Sequence, residues 1–402
     1  METQTDNKTP FRLNATANWD DTFRLMSWWD AEKISQASVM VVGAGALGNE
    51  VLKNLALLNI GRILIVDFDT IEYSNLCRSV LFRRSDCNGK KYKSTVAAQR
   101  IRKINPNIKV ASINGSIISD VGLGLFRRVD VIIGCLDNRL ARMFINRYAH
   151  LCGRTWIDGA IENLSGDLDV YRPGVSCYEC ELTAAEHRMI TYRLGCPDIA
   201  MRNIKFGKVA TTPISASIIG AMQVQEALKV IYANDEHSLA GQHFRYEGMN
   251  FTTLVYPKNE LKDLCNSHQY LDSFVEAENL SCNSSVAEVL DWISTYWNEP
   301  NPVIYLGYDV IEELCGMESG VRHKVLISSW QLNEKIYRKY QRAEGETLGI
   351  SKSSSRLSKE FAHQSATLKQ LGVPPLQILS IEAAGTFHWL ELNADQKFLT
   401  FS

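Results

Sequence analysis

The chain has 402 residues, 45% of them hydrophobic, which is enough for two domains with their own cores. A formal net charge of −2 argues against a nucleic-acid or membrane-surface partner. No apolar run reaches the roughly 18 residues of a membrane span, and residues 1–17 lack the apolar core of a signal peptide. We therefore expect a cytoplasmic protein whose ten cysteines are core residues, metal ligands or nucleophiles.

Strands and helices alternate in the first part of the chain. Residues 20–33 fit a short amphipathic helix, and the apolar runs 39–42 and 63–66 fit buried strands. The later elements of this part are strands at 110–118, 129–138 and 155–158 and helices at 94–105 and 139–152. The alternation predicts an α/β fold with a mostly parallel sheet that helices cover on both faces.

The rest of the chain has a different pattern. A long helix is predicted at 214–232, and two strands follow at 242–246 and 250–255. The polar stretch 269–285 is typical of a domain boundary. Beyond it we expect an α+β unit with the following elements: helix 286–296, strand 303–306, short helix 310–315, a charged serine-rich loop at 341–359, and a hairpin of strands 376–381 and 387–392.

A Gly-x-Gly-x-x-Gly motif directly follows the first strand, with its glycines at Gly43, Gly45 and Gly48. Such glycines let backbone N–H groups approach a phosphate at the N-terminus of a helix. The next strand ends in Asp67, which completes the first half of a nucleotide-binding unit. Taken alone, the motif favours NAD or FAD and leaves a dehydrogenase open.

Charged residues farther along the chain favour ATP. Arg78 and Lys93 can neutralise a triphosphate, and Asp137, at the end of another predicted strand, can hold Mg²⁺ against it. A dehydrogenase needs none of these three side chains. The three side chains together therefore suit attack on the α-phosphate of ATP better than hydride transfer. Arg78 or Lys93, taken singly, is equally well explained as a surface charge.

Two pairs of metal-binding residues have the spacing of zinc half-sites. Cys177 and Cys180 form a Cys-x-x-Cys pair, and Cys265 and His268 form a Cys-x-x-His pair. Four such ligands predict a closed tetrahedral zinc site that ties a distant segment to the first domain. A redox pair and unconnected core cysteines are the alternatives.

Cys196 is the candidate nucleophile. It lies in a charged, loop-like stretch close to Arg193, and an accessible cationic setting favours the reactive thiolate. Cys135, in contrast, lies in a predicted buried strand.

The order and spacing of these residues resemble the ThiF/MoeB/ubiquitin-activating enzyme superfamily. The resemblance covers residues 20–268 and rests on the glycine turn, on 67–78, on Lys93 and on 136–142. It implies an enzyme that uses ATP, Mg²⁺ and Zn²⁺ and adenylates the C-terminal glycine carboxylate of a ubiquitin-like protein. The residues that the resemblance assigns to the nucleotide and its magnesium are Gly43, Gly45, Gly48, Asp67, Asp69, Asn75, Arg78, Lys93 and, for the metal, Asp137.

Three further assignments depend on the resemblance. The loop before Lys93 is longer than the family norm, so Lys90 or Lys91 is an alternative phosphate lysine. The family uses an N-terminal arginine that often reaches into a partner subunit's site, which matches Arg24 and implies a homodimer. Members that carry out full activation have a cysteine that takes the modifier as a thioester, which matches Cys196.

The resemblance also implies a division into three parts. Residues 1–19 are a flexible arm, 20–270 a Rossmann-like adenylation domain with the zinc clip and a catalytic-cysteine segment at 181–210, and 271–402 a ubiquitin-fold-like domain that recruits a conjugating enzyme. Such a chain resembles the activating enzymes of bacterial ubiquitin-like conjugation operons (the BilD type), which implies a role in phage defence. The alternatives are a sulfur-carrier-protein adenylyltransferase without a catalytic cysteine, an NAD-dependent oxidoreductase and a non-catalytic scaffold.

Overall fold

A computed structural model describes residues 19–195, 210–263, 265–332, 334–341 and 346–395. The first part of the chain is built round an eight-stranded sheet and the second part round a six-stranded sheet. The expected α/β class, with a mostly parallel first sheet and an α+β second unit, is confirmed. In the ranges given above, no helix combines the length and the apolar content that crossing a membrane requires.

The first sheet has five parallel strands followed by three antiparallel ones. The parallel strands are β1 (Ser38–Val42), β2 (Arg62–Val66), β3 (Lys109–Ile113), β4 (Val131–Gly134) and β5 (Thr155–Glu162). The antiparallel strands are β6 (Ser165–Tyr171), β7 (Gln242–Glu247) and β8 (Thr252–Pro257). Their spatial order is β3-β2-β1-β4-β5-β6-β7-β8. Because β1 lies between β2 and β4 and is parallel to both, the carboxyl ends of these three strands meet at one edge.

Helices cover both faces of the parallel strands, so every residue of β1 is buried. Val39 and Val41 belong to the core on one face, and Met40 and Val42 belong to the core on the other. This explains why the sequence shows continuous apolar runs instead of alternation. The helices of this part are α1 (Ala31–Gln36), α2 (Ala46–Leu57), α3 (Lys93–Ile104), α4 (Leu123–Arg127), α5 (Arg139–Leu151), α6 (Tyr178–Glu181), α7 (Ala184–Gly195) and α8 (Pro213–Ile231).

The single helix predicted at 20–33 is wrong. A 3₁₀ turn at Phe23–Leu25 is followed by the separate helix α1. Asp30 separates the two because its side chain accepts a hydrogen bond from the Lys33 N–H group and so begins a new helix.

An amphipathic helix and a second, shorter helix pack against the second sheet. The elements of this part are β9 (Val275–Ala277), α9 (Val286–Trp297), β10 (Val303–Gly316), β11 (Arg322–Ser328), α10 (Glu334–Tyr340), β12 (Leu348–Leu357), β13 (Ile378–Ala383) and β14 (Thr386–Leu392). Ser285 and Glu288 form a capping box that starts α9, and Val286, Val289 and Ile293 bury its apolar face. The predicted hairpin is present as β13 and β14, which pair antiparallel through Ala383 and Thr386.

Two predictions in this second part are wrong. The expected short helix at 310–315 lies inside strand β10. The register of β10 shifts between Ile311 and Glu313, so Ile311 and Leu314 are both fully buried at a helix-like spacing. The expected loop at 341–359 contains strand β12, which pairs antiparallel with β10. Most side chains of β12 are exposed or half-buried, so the segment lacks the apolar alternation that marks a strand.

The two parts are joined by buried charge and by aromatic contact. Glu391 is fully buried and accepts hydrogen bonds from Arg127, at 2.7 Å, and from Arg128. Phe144, in the middle of α5, packs edge-on against Trp330, with ring centroids 5.4 Å apart. Helix α5 therefore contacts the second part while its N-terminus lies at the carboxyl end of β4.

Candidate functional site

The turn after β1 requires glycine at two positions and leaves space at a third. Gly43 has a φ of +97°, and a Cβ there would lie 2.4 Å from the Cys135 carbonyl oxygen. A Cβ on Gly48 would lie 2.0 Å from the Gly43 carbonyl oxygen. Gly45 has no atom within 4 Å of its missing Cβ, and it is the N-cap of α2. The free N–H groups of a helix N-terminus, beside an open glycine, can bind a phosphate.

Asp67, at the end of β2, buttresses this turn. One carboxylate oxygen accepts a hydrogen bond from the Ala44 N–H group and the other accepts one from the Asp69 N–H group, each at 2.7 Å. Burial raises the pKa of Asp67, and the positive charge of Lys93 partly offsets that effect. Each carboxylate oxygen has a further lone pair, so Asp67 can also accept from a ribose hydroxyl.

The three lysines of the candidate phosphate loop have different surroundings. Lys93, the first residue of α3, is buried and its ammonium lies 2.8 Å from a carboxylate oxygen of Asp69. Lys91 instead pairs with Asp86 at 3.2 Å. Lys90 is exposed and has a φ of +52°. Of the three, Lys93 has the contact that links it to the carboxyl end of β2.

Two charged groups of the predicted site have no partner within the described ranges. The guanidinium of Arg78 is half-buried and makes no ion pair or hydrogen bond there, and the Asp137 carboxylate is exposed and equally unpaired. Asn75 is buried and is already used locally, because its side-chain oxygen accepts from the Glu72 N–H group at 2.9 Å. Asn138, directly after Asp137, caps α5 by accepting from the Leu140 N–H group at 2.9 Å.

Three parts of the predicted nucleotide site therefore follow neighbouring strands. The glycine turn follows β1, Asp67 follows β2, and Asp137 follows β4, so all of them lie along one edge of the sheet. A buried lysine and an unpaired carboxylate near an anion-binding helix terminus are suited to a nucleotide phosphate and its metal.

The two predicted zinc half-sites come together. The sulfur of Cys177 lies 3.7 Å from that of Cys180 and 3.6 Å from that of Cys265, and the sulfur of Cys180 lies 3.5 Å from the His268 Nε2 atom. All four ligand atoms lie within 4.8 Å of one another. Sulfur atoms on one tetrahedral zinc ion, each bonded at about 2.3 Å, are about 3.8 Å apart. The donor set and its spacing fit zinc, and the sulfur atoms are too far apart for a disulfide.

The protonation of these groups also suits a metal. Burial raises the pKa of Cys177 and Cys265, so both thiols need a nearby cation to ionise. Burial lowers the pKa of His268, which keeps its imidazole neutral as a metal ligand must be.

Residues of α5 support the cysteine cluster. The Asn146 amide donates to the Ser267 hydroxyl at 2.9 Å, and this hydroxyl donates to Glu179 at 2.5 Å. Arg147 contacts both oxygens of Glu179, at 2.6 and 2.9 Å. Burial opposes ionisation of Glu179, but the hydrogen bonds from Arg147 and Ser267 outweigh it and lower the pKa. A glutamate inside a Cys-x-x-Cys pair was the one sequence signal of this network.

Helix α5 separates the cluster from the nucleotide residues. Asp137 precedes the helix, while His150, near its last turn, stacks on His268 with ring centroids 5.3 Å apart. A helix of 13 residues is about 20 Å long. A metal at the cysteine cluster would therefore have a structural role and would not contact the nucleotide.

Of the other predicted catalytic residues, one is not brought to this edge and one falls outside the part of the chain that the structure describes. Arg24 is exposed in the 3₁₀ turn and pairs with Asp20 at 3.4 Å. Cys196 lies outside the described residues, immediately after α7. Thr212, in the Thr-Thr-Pro segment farther along, caps α8, since its hydroxyl accepts from the Ser215 N–H group at 3.2 Å.

Comparisons with known proteins point to one family. A family model described as the ThiF family matches residues 20–267. The SUMO-activating enzyme subunit uba-2 of Caenorhabditis elegans is 36% identical over 157 residues, which are 38% of this chain and 27% of that protein. The sulfur carrier protein adenylyltransferase of Thermus thermophilus is 28% identical over 255 residues, which are 61% of this chain and 89% of that protein.

A comparison with solved structures gives a match over part of the chain. E. coli MccB, in a crystal structure with succinimide, matches with a TM-score of 0.49 and 24% identity. The match covers 59% of this chain and 68% of that chain. The chain thus spans only about a quarter of the first curated relative, and the family match ends before β9.

Proposed function

Because the chain belongs to the ThiF family, we propose that it binds ATP at the glycine turn and adenylates the C-terminal carboxylate of a ubiquitin-like protein. The observation that carries this proposal is that the glycine turn, Asp67 and Asp137 follow the carboxyl ends of the neighbouring strands β1, β2 and β4. In particular, Arg78 and Asp137 are charged groups with no partner in the described part of the chain, as groups awaiting a ligand would be.

The proposed chemistry needs positioning and charge neutralisation. The free N–H groups at the N-terminus of α2 and the side chains of Lys93 and Arg78 bind the phosphates, and Asp67 and Asn75 hold the nucleoside. Asp137 would hold Mg²⁺, which supplies charge neutralisation at the phosphates. A carboxylate oxygen of the substrate attacks the α-phosphorus, the bond to the β-phosphate oxygen breaks, and pyrophosphate leaves. No general base is required, because a C-terminal carboxylate is already ionised at neutral pH.

An exposed edge of the first sheet supports a protein substrate. Strand β8 is the last strand of that sheet, and all six of its residues are exposed. Met249 and Phe251, in the turn before it, are 75% and 86% exposed. An apolar patch beside an open strand edge is typical of a protein-binding surface.

The later steps belong to the same proposal. The Cys196 thiolate attacks the acyl carbon of the adenylate, AMP leaves, and the modifier is held as a thioester for transfer to a conjugating enzyme that docks on residues 271–402. Arg24 acts across the interface of a homodimer. The exposed position of Arg24 and its contact with no nucleotide residue in the described ranges agree with a role in a second subunit.

A second candidate is adenylation of a sulfur-carrier protein without the thioester step. It is favoured by the Thermus thermophilus relative, of which the match covers 89%. The C-terminal unit, which lies beyond the family match, favours the first candidate.

The two candidates differ in the adduct that they form. We expect the protein, incubated with ATP, Mg²⁺ and a purified ubiquitin-like protein ending in Gly-Gly, to give an adduct that survives a non-reducing gel and disappears with thiol. The Cys196→Ala variant loses this adduct, and Cys315→Ala, a matched cysteine in the second unit, keeps it. An adduct that persists in Cys196→Ala would show that another residue is the nucleophile.

A further inference from the structure

The side chain of Arg142 ties the segment after β4 to the middle of β5. Its Nη2 donates to the carbonyl oxygens of Leu136, at 2.7 Å, and of Gly159, at 3.3 Å. Its Nε donates to a carboxylate oxygen of Asp158 at 2.7 Å. The Asp158 side chain of this ion pair is buried, with 7% of its area exposed, and the Arg142 side chain is nearly so, with 12% exposed.

These contacts fix the backbone immediately before Asp137. The Leu136 carbonyl and the Asp137 N–H group belong to one planar peptide unit, so holding the oxygen holds the plane. The residue after Asp137 is held as well, since Asn138 caps α5. The Asp137 carboxylate itself has no partner in the described ranges, so these two flanking contacts are what hold the backbone from which it projects.

Asp158 in turn determines where the Arg142 guanidinium lies. Gly134 pairs directly with Asp158 across β4 and β5, and a Cβ on Gly134 would lie only 3.0 Å from the second carboxylate oxygen of Asp158. That oxygen is buried and has no hydrogen-bond partner. Among the described residues, Arg142 is the one hydrogen-bond partner of the Asp158 carboxylate, and a buried guanidinium without this partner would be strongly disfavoured.

We propose that Asp158 and Arg142 are positioning residues that place the Asp137 carboxylate for a metal–nucleotide complex. They touch neither the nucleotide nor the metal, and they act only through the peptide unit before Asp137. This inference rests on the proposed function.

Binding of Mn²⁺·ATP, followed by electron paramagnetic resonance without any carrier protein, tests the proposal. Residues that orient a metal ligand typically change metal affinity about 10- to 100-fold when altered, so we expect Asp158→Asn to weaken Mn²⁺·ATP at least about tenfold. Arg142→Lys, which keeps the charge but loses the fork geometry, should weaken it similarly. The double variant should weaken Mn²⁺·ATP binding little more than either single variant does, because the two side chains act as one unit.

The matched control is Asp130→Asn. Asp130 lies next to the opposite end of β4, where its carboxylate accepts hydrogen bonds from the Ser38 N–H and hydroxyl groups, each at 2.7 Å. This control should leave Mn²⁺·ATP affinity unchanged. Zinc content and Tm show whether each variant is folded, and Arg142→Lys serves as the test if Asp158→Asn is not.

The outcomes separate this proposal from the one on which it rests. If the unaltered protein binds no Mn²⁺·ATP, the proposed function fails. If it binds the complex and folded Asp158→Asn and Arg142→Lys bind it equally well, only the positioning role is overturned. Equal weakening in Asp130→Asn would also overturn it, because a general effect on β4 would then explain the loss.

Discussion

Replacing Lys93 by alanine is expected to lower the rate of carrier-dependent ATP–pyrophosphate exchange by about two to three orders of magnitude, the loss typical of removing one preorganised charge-stabilising group. The Lys93 ammonium is buried at the start of α3, beside Asp69 and close to the end of β2. Asp69 is half-exposed, so the ion pair itself contributes little to stability and the variant should fold. The loss would therefore report on the phosphate contact and not on the fold.

The neighbouring lysines are the matched controls. Lys91→Ala removes a pair with Asp86, and Lys90→Ala removes an exposed side chain in a turn. Both variants should keep most of the exchange rate. A larger loss in Lys91→Ala or Lys90→Ala than in Lys93→Ala would move the phosphate lysine into the loop before α3.

The largest effect on stability is expected at the cysteine cluster. We expect about one zinc ion per purified chain, as for a closed four-ligand site. Cys265→Ser should lose most of the zinc and lower Tm by about 10 °C, because the metal holds the segment around Cys265 against Cys177 and Cys180. Metal analysis and thermal unfolding measure the two effects on the same sample.

A cysteine outside the cluster serves as the comparison. Cys315→Ser, in β10 of the second unit, should keep the zinc and change Tm little. The zinc assignment is contradicted if the purified unaltered protein contains no zinc and the Cys265→Ser variant has the same Tm. The four residues would then be ordinary side chains.

The parallel half of the fold is predictable from the sequence for a simple physical reason. A strand buried on both faces must be apolar at every position, so β1 and β2 stand out as continuous runs followed by turn residues. The second unit is less predictable. The bulge in β10 gives its buried residues a helix-like spacing, and β12 is held by backbone pairing while its serines stay exposed.

The candidate site also has a part that can be predicted from the sequence and a part that cannot. The glycines, Asp67 and the zinc pairs are visible because their members are close in sequence and each spacing has one chemical meaning. The ion pairs that support the site are not visible in the sequence. Arg142 contacts Asp158, and Arg147 contacts Glu179, only after the sheet and α5 have assembled. Arg24 is a different case, because its proposed role depends on a second subunit.

Carrier-dependent ATP–pyrophosphate exchange is the most direct test of adenylation as the function of this chain. The unaltered protein is incubated with ATP, Mg²⁺, labelled pyrophosphate and a ubiquitin-like or sulfur-carrier protein that ends in Gly-Gly. We predict that label enters ATP only when the carrier is present and that removal of its terminal glycine abolishes the exchange. As a positive control, a ThiF family relative is assayed with the same intact carriers. If the relative exchanges label and the folded protein does not, the proposed function is contradicted.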